Sequence, residues 1–421
     1  MAYIMSRLQL ETPLMTETII IVGASHAGAQ AIDSLRREGF KGRIVLIGDE
    51  PYLPYQRPPL SKKYLLGELP IERLAIRAAP FYDQHQVEMR LNSRVTRIDT
   101  AQKLIRLGDG SEHRYDKLIL CVGSRVRKLS CPGSNLKGVH YVRTVDDINH
   151  MQPELAPGKR MVVIGAGYIG LETAAAARKL GLEVTVLEMA DRCLNRVTAP
   201  VISEFYTQRH AQDGVPIRTN TRVEALIGAE HVEAVQCVTQ DGSSEKIPAD
   251  IVVVGVGIVP EVELAQAAGL KCDNGIVVDD HCRTSDASIY AAGDCTNHPS
   301  VRYSGRVRLE SVDNAIEQAR VAAANICGKS AEHAHTPWFW SDQYDVKLQT
   351  AGLMQGHDRQ VVRGDPKSGH FSVWYLKDGE LLAVDAINRP GDFITAKRWI
   401  GERKHPDPDK LCDVAQDLKS L

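Results

Sequence analysis

The sequence lacks the features that mark several classes of protein. Its 51 basic and 53 acidic side chains give a formal charge of −2, so the charge balance favours neither nucleic acid nor an anionic membrane as a partner. No apolar run approaches the ~20 residues that a membrane helix needs. Residues 1–17 lack the apolar core and cleavage site of a signal peptide. We interpret them as a leader, with Met15 as an alternative start, and expect a cytoplasmic protein.

Cysteine is present, but not at spacings that indicate a site. No two cysteines form a C-x-x-C or C-x-x-x-x-C pattern among the nine: Cys121, Cys131, Cys193, Cys237, Cys272, Cys282, Cys295, Cys327 and Cys412. The odd number and the scatter argue against a disulfide framework, a zinc site, an iron–sulfur cluster or a redox-active dithiol. We therefore expect free thiols and no metal site.

The length of 421 residues and the hydrophobic content of 43% are those of a globular protein, with about three domains expected. Two segments have the strand–turn–helix pattern of dinucleotide-binding units. In the later one, "MVVIG" predicts a buried strand over 161–165, and a helix is predicted over 171–181. The glycines of a G-x-G-x-x-G pattern lie between them: Gly165, Gly167 and Gly170.

Each element of this later unit has a physical role. The three glycines permit, in order, a tight turn, close approach of a pyrophosphate, and packing of helix on strand. The strand predicted over 183–188 ends in Glu188, 23 residues after Gly165. At that offset an acidic side chain meets a ribose 2′-hydroxyl. Strand, helix, second strand and acid together indicate a bound dinucleotide.

The earlier unit, "IIVGASHAG" (20–28), departs from the pattern. It has Gly23 and Gly28, but Ser25 stands where the middle glycine belongs. A serine is small enough for a bound pyrophosphate, and its hydroxyl is a possible donor to it. The alternative is a unit of this fold that binds nothing. We interpret His26 as a solvent-facing loop residue.

Acidic residues also follow the second strand of this unit, predicted over 43–50, which supplies Asp49 and Glu50. Two further apolar strands, in 117–125 and 287–297, end in Gly-Ser and Gly-Asp. The second of them follows the whole inserted unit. The chain is therefore predicted to leave the first domain, build the second, and return.

Three stretches of sequence indicate more closely which family the chain resembles: "PYLPYQRPPLSKKYL" (51–65), "SVDNAIEQA" (311–319) and "PWFWSDQY" (337–344). With them the chain resembles the FAD-dependent, NADH-using ferredoxin reductases of the putidaredoxin reductase type, which serve bacterial cytochrome P450 systems. The resemblance implies an α/β fold with two Rossmann-like dinucleotide-binding domains, as in glutathione reductase, and a C-terminal α+β domain. We predict an FAD domain of 18–122 and 257–336, an NADH domain of 123–256, and a C-terminal domain of 337–421 with a hairpin around "KDG".

The resemblance also assigns residues to the two cofactors. The FAD set is Gly23, Ser25, Ala27 and Gly28 along the pyrophosphate, Asp49 at the ribose, Val95 at the adenine, Arg57 and Lys62 near the flavin, Arg143, Asp294 at the ribityl chain, Val312 behind the pyrimidine end, and Trp340 at the flavin edge. The NADH set is Gly165, Gly167, Gly170, Glu172 and Glu188. Lys62 would be the cation near the flavin N5, balanced by Glu172; the alternative is a solvated loop lysine.

The implied reaction takes hydride from NADH onto FAD and passes single electrons to an acidic 2Fe–2S ferredoxin that supplies a P450. Two basic stretches, 302–308 and 397–404, are candidates to steer the ferredoxin; the alternative is unengaged surface charge. We expect a monomer or weak dimer. NADH should be preferred to NADPH because of Glu188, unless Arg192, in a mobile turn, points inward. Two other classes stay open: the reductase of an aromatic-ring dioxygenase, and a non-catalytic redox-sensing interaction module.

Overall fold

A computed structural model describes residues 17–300, 302–303 and 305–421. The predicted leader, apart from Glu17, lies outside these residues. Nine α-helices occur in the described part: α1 His26–Arg37, α2 Ala79–Gln84, α3 Val145–Met151, α4 Tyr168–Lys179, α5 Pro200–Gln212, α6 Glu263–Ala267, α7 Val312–Ile326, α8 Pro390–Gly401 and α9 Pro408–Cys412. Short 3-10 helices occur at Pro58–Ser61, Ile71–Arg73, Gln152–Glu154, Pro366–Ser368 and Leu418–Ser420.

The described residues also form 26 strands, which build the sheets of the fold. The earlier ones are β1 Thr18–Val22, β2 Arg43–Ile47, β3 Val87–Arg90, β4 Val95–Asp99, β5 Leu104–Leu107, β6 Glu112–Arg114, β7 Lys117–Leu120, β8 Ser124–Val126, β9 Val139–Tyr141, β10 Arg160–Ile164, β11 Glu183–Leu187, β12 Ile217–Arg218 and β13 Arg222–Ile227. The later ones are β14 Ala234–Val238, β15 Ser244–Pro248, β16 Ile251–Val254, β17 Ile258–Pro260, β18 Ile276–Val277, β19 Ile289–Ala291, β20 Thr296–Ser300, β21 Gly305–Val307, β22 Trp338–Gln343, β23 Val346–Gly352, β24 Arg359–Asp365, β25 His370–Lys377 and β26 Glu380–Ile387.

The first parallel sheet has the order β19-β7-β1-β2-β3. Its central strand is fully buried at Ile19, Ile20 and Ile21, as expected of a strand covered on both faces. Strand β19 pairs in parallel with β7 although the inserted unit separates them in sequence. The chain thus returns to the first sheet, as the two strand–Gly segments predict.

The second parallel sheet has the order β12-β11-β10-β16-β9. Predicted and observed elements agree here within a few residues: the strand predicted over 161–165 is β10, and the strand predicted over 183–188 is β11. Helix α4 begins at Tyr168, three residues before the predicted start, because the chain turns into the helix directly after Gly167, its N-cap. Strands β8 and β17 form an antiparallel pair. They lie in the two segments where the chain passes from the first parallel sheet to the second and back.

An antiparallel sheet with the order β22-β23-β26-β25-β24 forms the C-terminal part, and α8 packs on it. The predicted hairpin is confirmed by the pairing of β25 with β26. Two parallel sheets with helices, followed by an α+β unit, are the fold class that the sequence predicts. Across the described residues, none of the helices combines the length and apolar character needed to cross a bilayer.

Candidate active site

The first glycine loop connects β1 to α1, and packing explains its two glycines. Gly23 has φ +115°, and a Cβ there would lie 2.1 Å from the carbonyl oxygen of Cys121. A Cβ on Gly28 would lie 2.2 Å from the carbonyl oxygen of Gly23. Ser25 is the N-cap of α1, but its side chain makes no capping hydrogen bond. The Ser25 hydroxyl and the helix N-terminus therefore suit a phosphate; Ala27 behind them is buried.

The second glycine loop connects β10 to α4. Packing within the protein explains two of its glycines but not the third. A Cβ on Gly165 would lie 2.5 Å from the carbonyl oxygen of Gly255, and one on Gly170 would lie 2.1 Å from that of Gly165. A Cβ on Gly167 would meet nothing within 4 Å. The protein itself therefore does not require a glycine at 167. A pyrophosphate that approaches the backbone at this position would require a glycine, because any side chain would stand in its way. The loop therefore fits a bound dinucleotide.

Glu188 follows β11 and reaches back to this loop. Its carboxylate accepts hydrogen bonds from the backbone N–H of Ala166 at 2.7 Å and of Ala190 at 2.8 Å. Each carboxylate oxygen has a further lone pair, so the side chain can also accept from ribose hydroxyls. The position beside the loop is the one that its offset in the sequence predicts.

Arg192, which we expected in a mobile turn, has its guanidinium hydrogen-bonded within its loop and to α5. The guanidinium donates to the carbonyl oxygens of Thr198 at 2.9 Å and Asn195 at 2.8 Å, and to the Ser203 hydroxyl at 2.7 Å. These contacts hold the cation to its own loop and to α5. Arg192 is thus occupied and does not supply a free charge for a 2′-phosphate.

Two arginines of the predicted FAD set lie close together. Arg57 forms an ion pair with Glu50 at 2.6 Å and donates to the carbonyl oxygen of Arg143 at 2.7 Å. Arg143 has Asp294 as its acidic neighbour, 3.7 Å away. Burial, followed by repulsion from Arg57, lowers the pKa of the Arg143 guanidinium. Glu50 and Asp294 balance the two guanidinium charges, and the remaining N–H donors of the arginines suit an anionic group of a ligand.

Within the same cluster, Glu50 is committed to Arg57 and to the Tyr55 hydroxyl, which donates to it at 2.6 Å. The neighbouring Asp49 is exposed at the end of β2. Asp49 is therefore the acid that remains for a ribose, as the resemblance implies. The part played by Tyr55 and Glu50 in fixing Arg57 was not predicted.

His26 is not the solvent-facing loop residue that we expected. It is the first residue of α1 and is only partly exposed. Burial, followed by the charges of Arg57 and Arg143, lowers its pKa to about 4. His26 therefore lies close enough to the two arginines for their charges to disfavour its protonation.

Lys62 and Glu172 meet between the two glycine-loop units. The Lys62 ammonium lies 2.5 Å from Oε2 of Glu172, which is 3% exposed. The Ser61 hydroxyl donates to the same oxygen at 2.5 Å, and the Ser341 hydroxyl donates to Oε1 at 2.7 Å. The alternative of a solvated loop lysine is therefore wrong. The two serines were missed, since they lie 111 and 169 residues from Glu172 and no local pattern links them.

The remaining residues of the FAD set are apolar. Val95 begins β4 and is 8% exposed, Val312 is the first residue of α7, and Trp340 lies in β22. Trp340 is half-buried and stacks on Trp338 with the ring centres 5.4 Å apart. The contacts of Val95, Val312 and Trp340 with FAD therefore stay predictions.

All nine cysteines are free thiols. Cys121 directly follows β7, and Cys295 lies between β19 and β20. Both are buried, and burial raises the pKa of Cys295 to about 12. Neither has the exposure or the low pKa of a redox-active thiol. Asp280, His281 and Glu332 form a surface group spaced closely enough for a metal ion. The expectation of no metal therefore stays a prediction.

Two glycine loops, a half-buried pair of arginines and a lysine–glutamate pair between the loops define a dinucleotide-dependent oxidoreductase. Residues 17–319 match the family described as "Pyridine nucleotide-disulphide oxidoreductase", and residues 338–421 match "Reductase C-terminal". The chain therefore belongs to the pyridine nucleotide-disulphide oxidoreductase family. The family uses FAD and a pyridine nucleotide, the cofactors that the sequence predicts.

Similar proteins cover nearly the whole chain. The rhodocoxin reductase of Rhodococcus erythropolis is 45% identical over 402 residues, 96% of this chain and 93% of the relative. The anthranilate 1,2-dioxygenase system ferredoxin–NAD⁺ reductase component of Burkholderia cepacia is 42% identical over 97% of this chain and 100% of its own. The reductase in a covalent putidaredoxin reductase–putidaredoxin complex superposes with a TM-score of 0.92 at 42% identity, covering 96% of this chain and 97% of that one. The resemblance to ferredoxin reductases is confirmed.

Proposed function

We propose that this protein takes hydride from NADH onto FAD and passes the electrons one at a time to a 2Fe–2S ferredoxin that supplies a cytochrome P450. The observation that carries the proposal is the contact of Lys62 with Glu172. Lys62 belongs to the "QRPPLSK" string of the unit assigned to FAD, and Glu172 lies five residues after Gly167 in the unit assigned to NADH. The pair stands where the two cofactors have to meet.

Each side chain has a task in this reaction. When bound, the flavin accepts the hydride and releases its electrons singly. Lys62 supplies a positive charge where negative charge accumulates, and Glu172 keeps the lysine in place and balances its charge. Arg57 lies near the flavin with Lys62, Arg143 makes a further FAD contact, and the first glycine loop with the N-terminus of α1 holds the FAD pyrophosphate. The domain limits and the FAD and NADH sets of residues given above are part of this proposal.

We propose that the electrons leave without a dithiol, because no two cysteines have C-x-x-C or C-x-x-x-x-C spacing and both Cys121 and Cys295 are buried. A one-electron carrier fits this arrangement. In the stretch 397–404, Arg398 and Arg403 are each 60% exposed, although Glu402 and Glu380 are their ion-pair partners. Because of this exposure, the stretch is the better candidate to steer an acidic ferredoxin.

The stretch 302–308 does not have the free charge that we expected. Arg302 and Arg308 are 18% and 14% exposed, and each has a glutamate partner. Arg306 donates to the backbone oxygens of Val278 and Asn297. These arginines support local structure, since their hydrogen bonds and ion pairs are made within the chain.

A second candidate is the reductase of an aromatic-ring dioxygenase. The relative from Burkholderia cepacia belongs to such a system, and its identity of 42% equals that of the reductase in the putidaredoxin complex. We favour the P450 system on the "ESVDNA" string. A cytoplasmic location and a monomer or weak dimer complete the proposal.

The purified protein should be yellow, and NADH should bleach it in the absence of oxygen. Bleaching would exclude the third class, a non-catalytic module. Cytochrome c reduction should then require a ferredoxin, and turnover with ferredoxins of P450 systems and of dioxygenase systems should differ. Faster turnover with the dioxygenase ferredoxins would favour the second candidate. A protein that NADH does not bleach would contradict both catalytic proposals.

A further inference from the structure

A cavity of about 1050 Å³ lies beside helix α4. Its inner wall includes Ser61, Lys62 and Glu172, and its wall along α4 continues through Ala175, Ala176 and Lys179. Its described lining includes no residue of either glycine loop. The cavity is therefore distinct from the space over the two loops, and the Lys62–Glu172 pair forms part of its wall.

The sequence of α4 explains the cavity. Glu172, Ala175, Ala176 and Lys179 are spaced i, i+3, i+4 and i+7, so they share one face of the helix. The two alanines have the smallest side chains that a helix readily accepts, and they leave the middle of this face open. At the far end, Lys179 is 61% exposed and pairs with Glu68 at 2.6 Å. The space thus leads from a buried carboxylate to the protein surface, and it is wide enough for many water molecules.

The proposed function requires an exit for protons, and the inference rests on that function. A hydride contains one proton and two electrons, whereas two one-electron carriers accept only the electrons. The overall reaction is therefore NADH plus two oxidised carriers giving NAD⁺, two reduced carriers and one H⁺. One proton per turnover has to leave a site that is built to exclude water.

We propose that Lys62, Glu172 and Ser61 pass this proton to water in the cavity. Nζ of Lys62 gives a proton to Oε2 of Glu172 across their 2.5 Å contact, so an N–H bond breaks and an O–H bond forms. Lys62 then takes up the proton that remains when the two electrons of the hydride pass to the carriers, so its N–H bond forms again. Oε2 then donates to the Ser61 hydroxyl oxygen, 2.5 Å away, while the former Ser61 proton moves to a cavity water. Ser341 holds Oε1 at 2.7 Å and keeps the carboxyl oriented. At the end every side chain is in its starting state.

The test narrows the cavity without touching the three relay residues. Ala175→Leu places a larger apolar side chain in the passage, and Ala175→Ser is the matched control that leaves it open and polar. Protein reduced by one equivalent of NADH is mixed with ferricyanide in weak buffer that contains a pH indicator. In the natural protein and in Ala175→Ser, the proton should appear together with flavin reoxidation.

In Ala175→Leu, reoxidation and proton appearance should both slow by about tenfold, a barrier increase of about 1.4 kcal/mol, and D₂O should slow them further. Reduction by NADH should stay within about twofold of the Ala175→Ser rate, because no proton leaves in that half of the reaction. The dependence of the flavin potential on pH should be unchanged, since a blocked passage alters rates and not equilibria. Leu66→Trp narrows the cavity from another wall and gives the same test if Ala175→Leu does not fold.

Equal rates of reoxidation and proton release in the leucine and serine variants would overturn the inference and leave the proposed function standing. Failure of NADH to reduce the natural protein would instead contradict the proposed function. A slowing of reduction and reoxidation by the same factor would also overturn the inference, because it would indicate general damage to the site.

Discussion

Nζ of Lys62 lies 2.5 Å from Oε2 of Glu172, although 110 residues separate the two in the chain. Lys62 follows the 3-10 helix Pro58–Ser61, and Glu172 lies in the second turn of α4. A buried carboxylate needs a counter-charge and hydrogen bonds, and here it has both. The contact therefore links the two glycine-loop units at the place where we propose that hydride crosses.

Replacing Lys62 with Met should leave FAD bound, slow flavin reduction by NADH and lower the flavin potential. The reason is the loss of a positive charge beside the position where negative charge accumulates. We expect a slowing of about tenfold or more, equivalent to about 1.4 kcal/mol. Lys63→Met is the matched control, because Lys63 is exposed. Stopped-flow reduction and a redox titration measure both effects; an unchanged rate and potential would remove this role from Lys62.

The glycines of the second loop should respond differently to the same substitution. Gly167→Ala should fold normally, since its Cβ meets nothing within 4 Å, and should weaken NADH binding by about 1–3 kcal/mol through a clash with the pyrophosphate. Gly170→Ala should instead destabilise the fold, because its Cβ would lie 2.1 Å from a backbone oxygen. Thermal unfolding and NADH titration separate the two. Normal NADH affinity in Gly167→Ala would mean that no ligand approaches this position.

The parts of the fold that the sequence predicted depend on local patterns. The continuous apolar run of β10 and the glycines after it each specify their own geometry, so the strand and the turn were predictable. Helix α4 was predicted to start at Leu171 rather than Tyr168, because a G-x-G-x-x-G pattern does not state which glycine is the N-cap.

The predictions that were wrong or missing concern side chains whose surroundings come from distant parts of the chain. Arg192 was expected to be mobile, but Thr198 and Ser203 bind its guanidinium. Ser341 reaches Glu172 from the C-terminal sheet, which nothing in the neighbouring sequence indicates. His26 was expected to face solvent, but it is only partly exposed, and the charges of Arg57 and Arg143, from two distant segments, act on it. Such contacts depend on the tertiary fold and have no local signature.

The protein should lose stability in mild acid through a buried group of histidines. Burial, then the charges of Arg306 and His335, lowers the pKa of His298 to about 4; burial, then His298 and His335, lowers that of His333 to about 3. The unfolded chain takes up these protons at about pH 6.5. Below that pH it binds more protons than the folded chain, so the free energy of unfolding should fall as the pH drops from about 6.5 towards 4.

Urea unfolding at several pH values measures this loss. His333→Gln should make the dependence on pH less steep, because one of the buried groups no longer titrates. His370→Gln is the control, since His370 is exposed on β25. Parallel curves for the two variants would show that the buried histidines do not cause the acid sensitivity.

NADH should be preferred to NADPH, and Glu188 should be the main cause. Its carboxylate is held beside the second glycine loop by the N–H groups of Ala166 and Ala190, at 2.7 and 2.8 Å. From there it can accept from the ribose hydroxyls, whereas a 2′-phosphate would meet like charge and displace those hydrogen bonds. The cation that would offset this repulsion, Arg192, is already bound to Thr198, Ser203 and Asn195.

Glu188→Ala should therefore weaken the use of NADH and narrow its advantage over NADPH by about 1–3 kcal/mol, the size of a lost hydrogen bond to a charged group. The measurement is kcat/KM for both nucleotides. Arg192→Met is the control and should leave the ratio of the two values unchanged, because its guanidinium is engaged within its own loop and with α5. Equal values for the two nucleotides in the natural protein, or a ratio that Glu188→Ala does not alter, would exclude Glu188 from the site. A ratio that shifts in Arg192→Met would show that the arginine leaves its loop when the nucleotide binds.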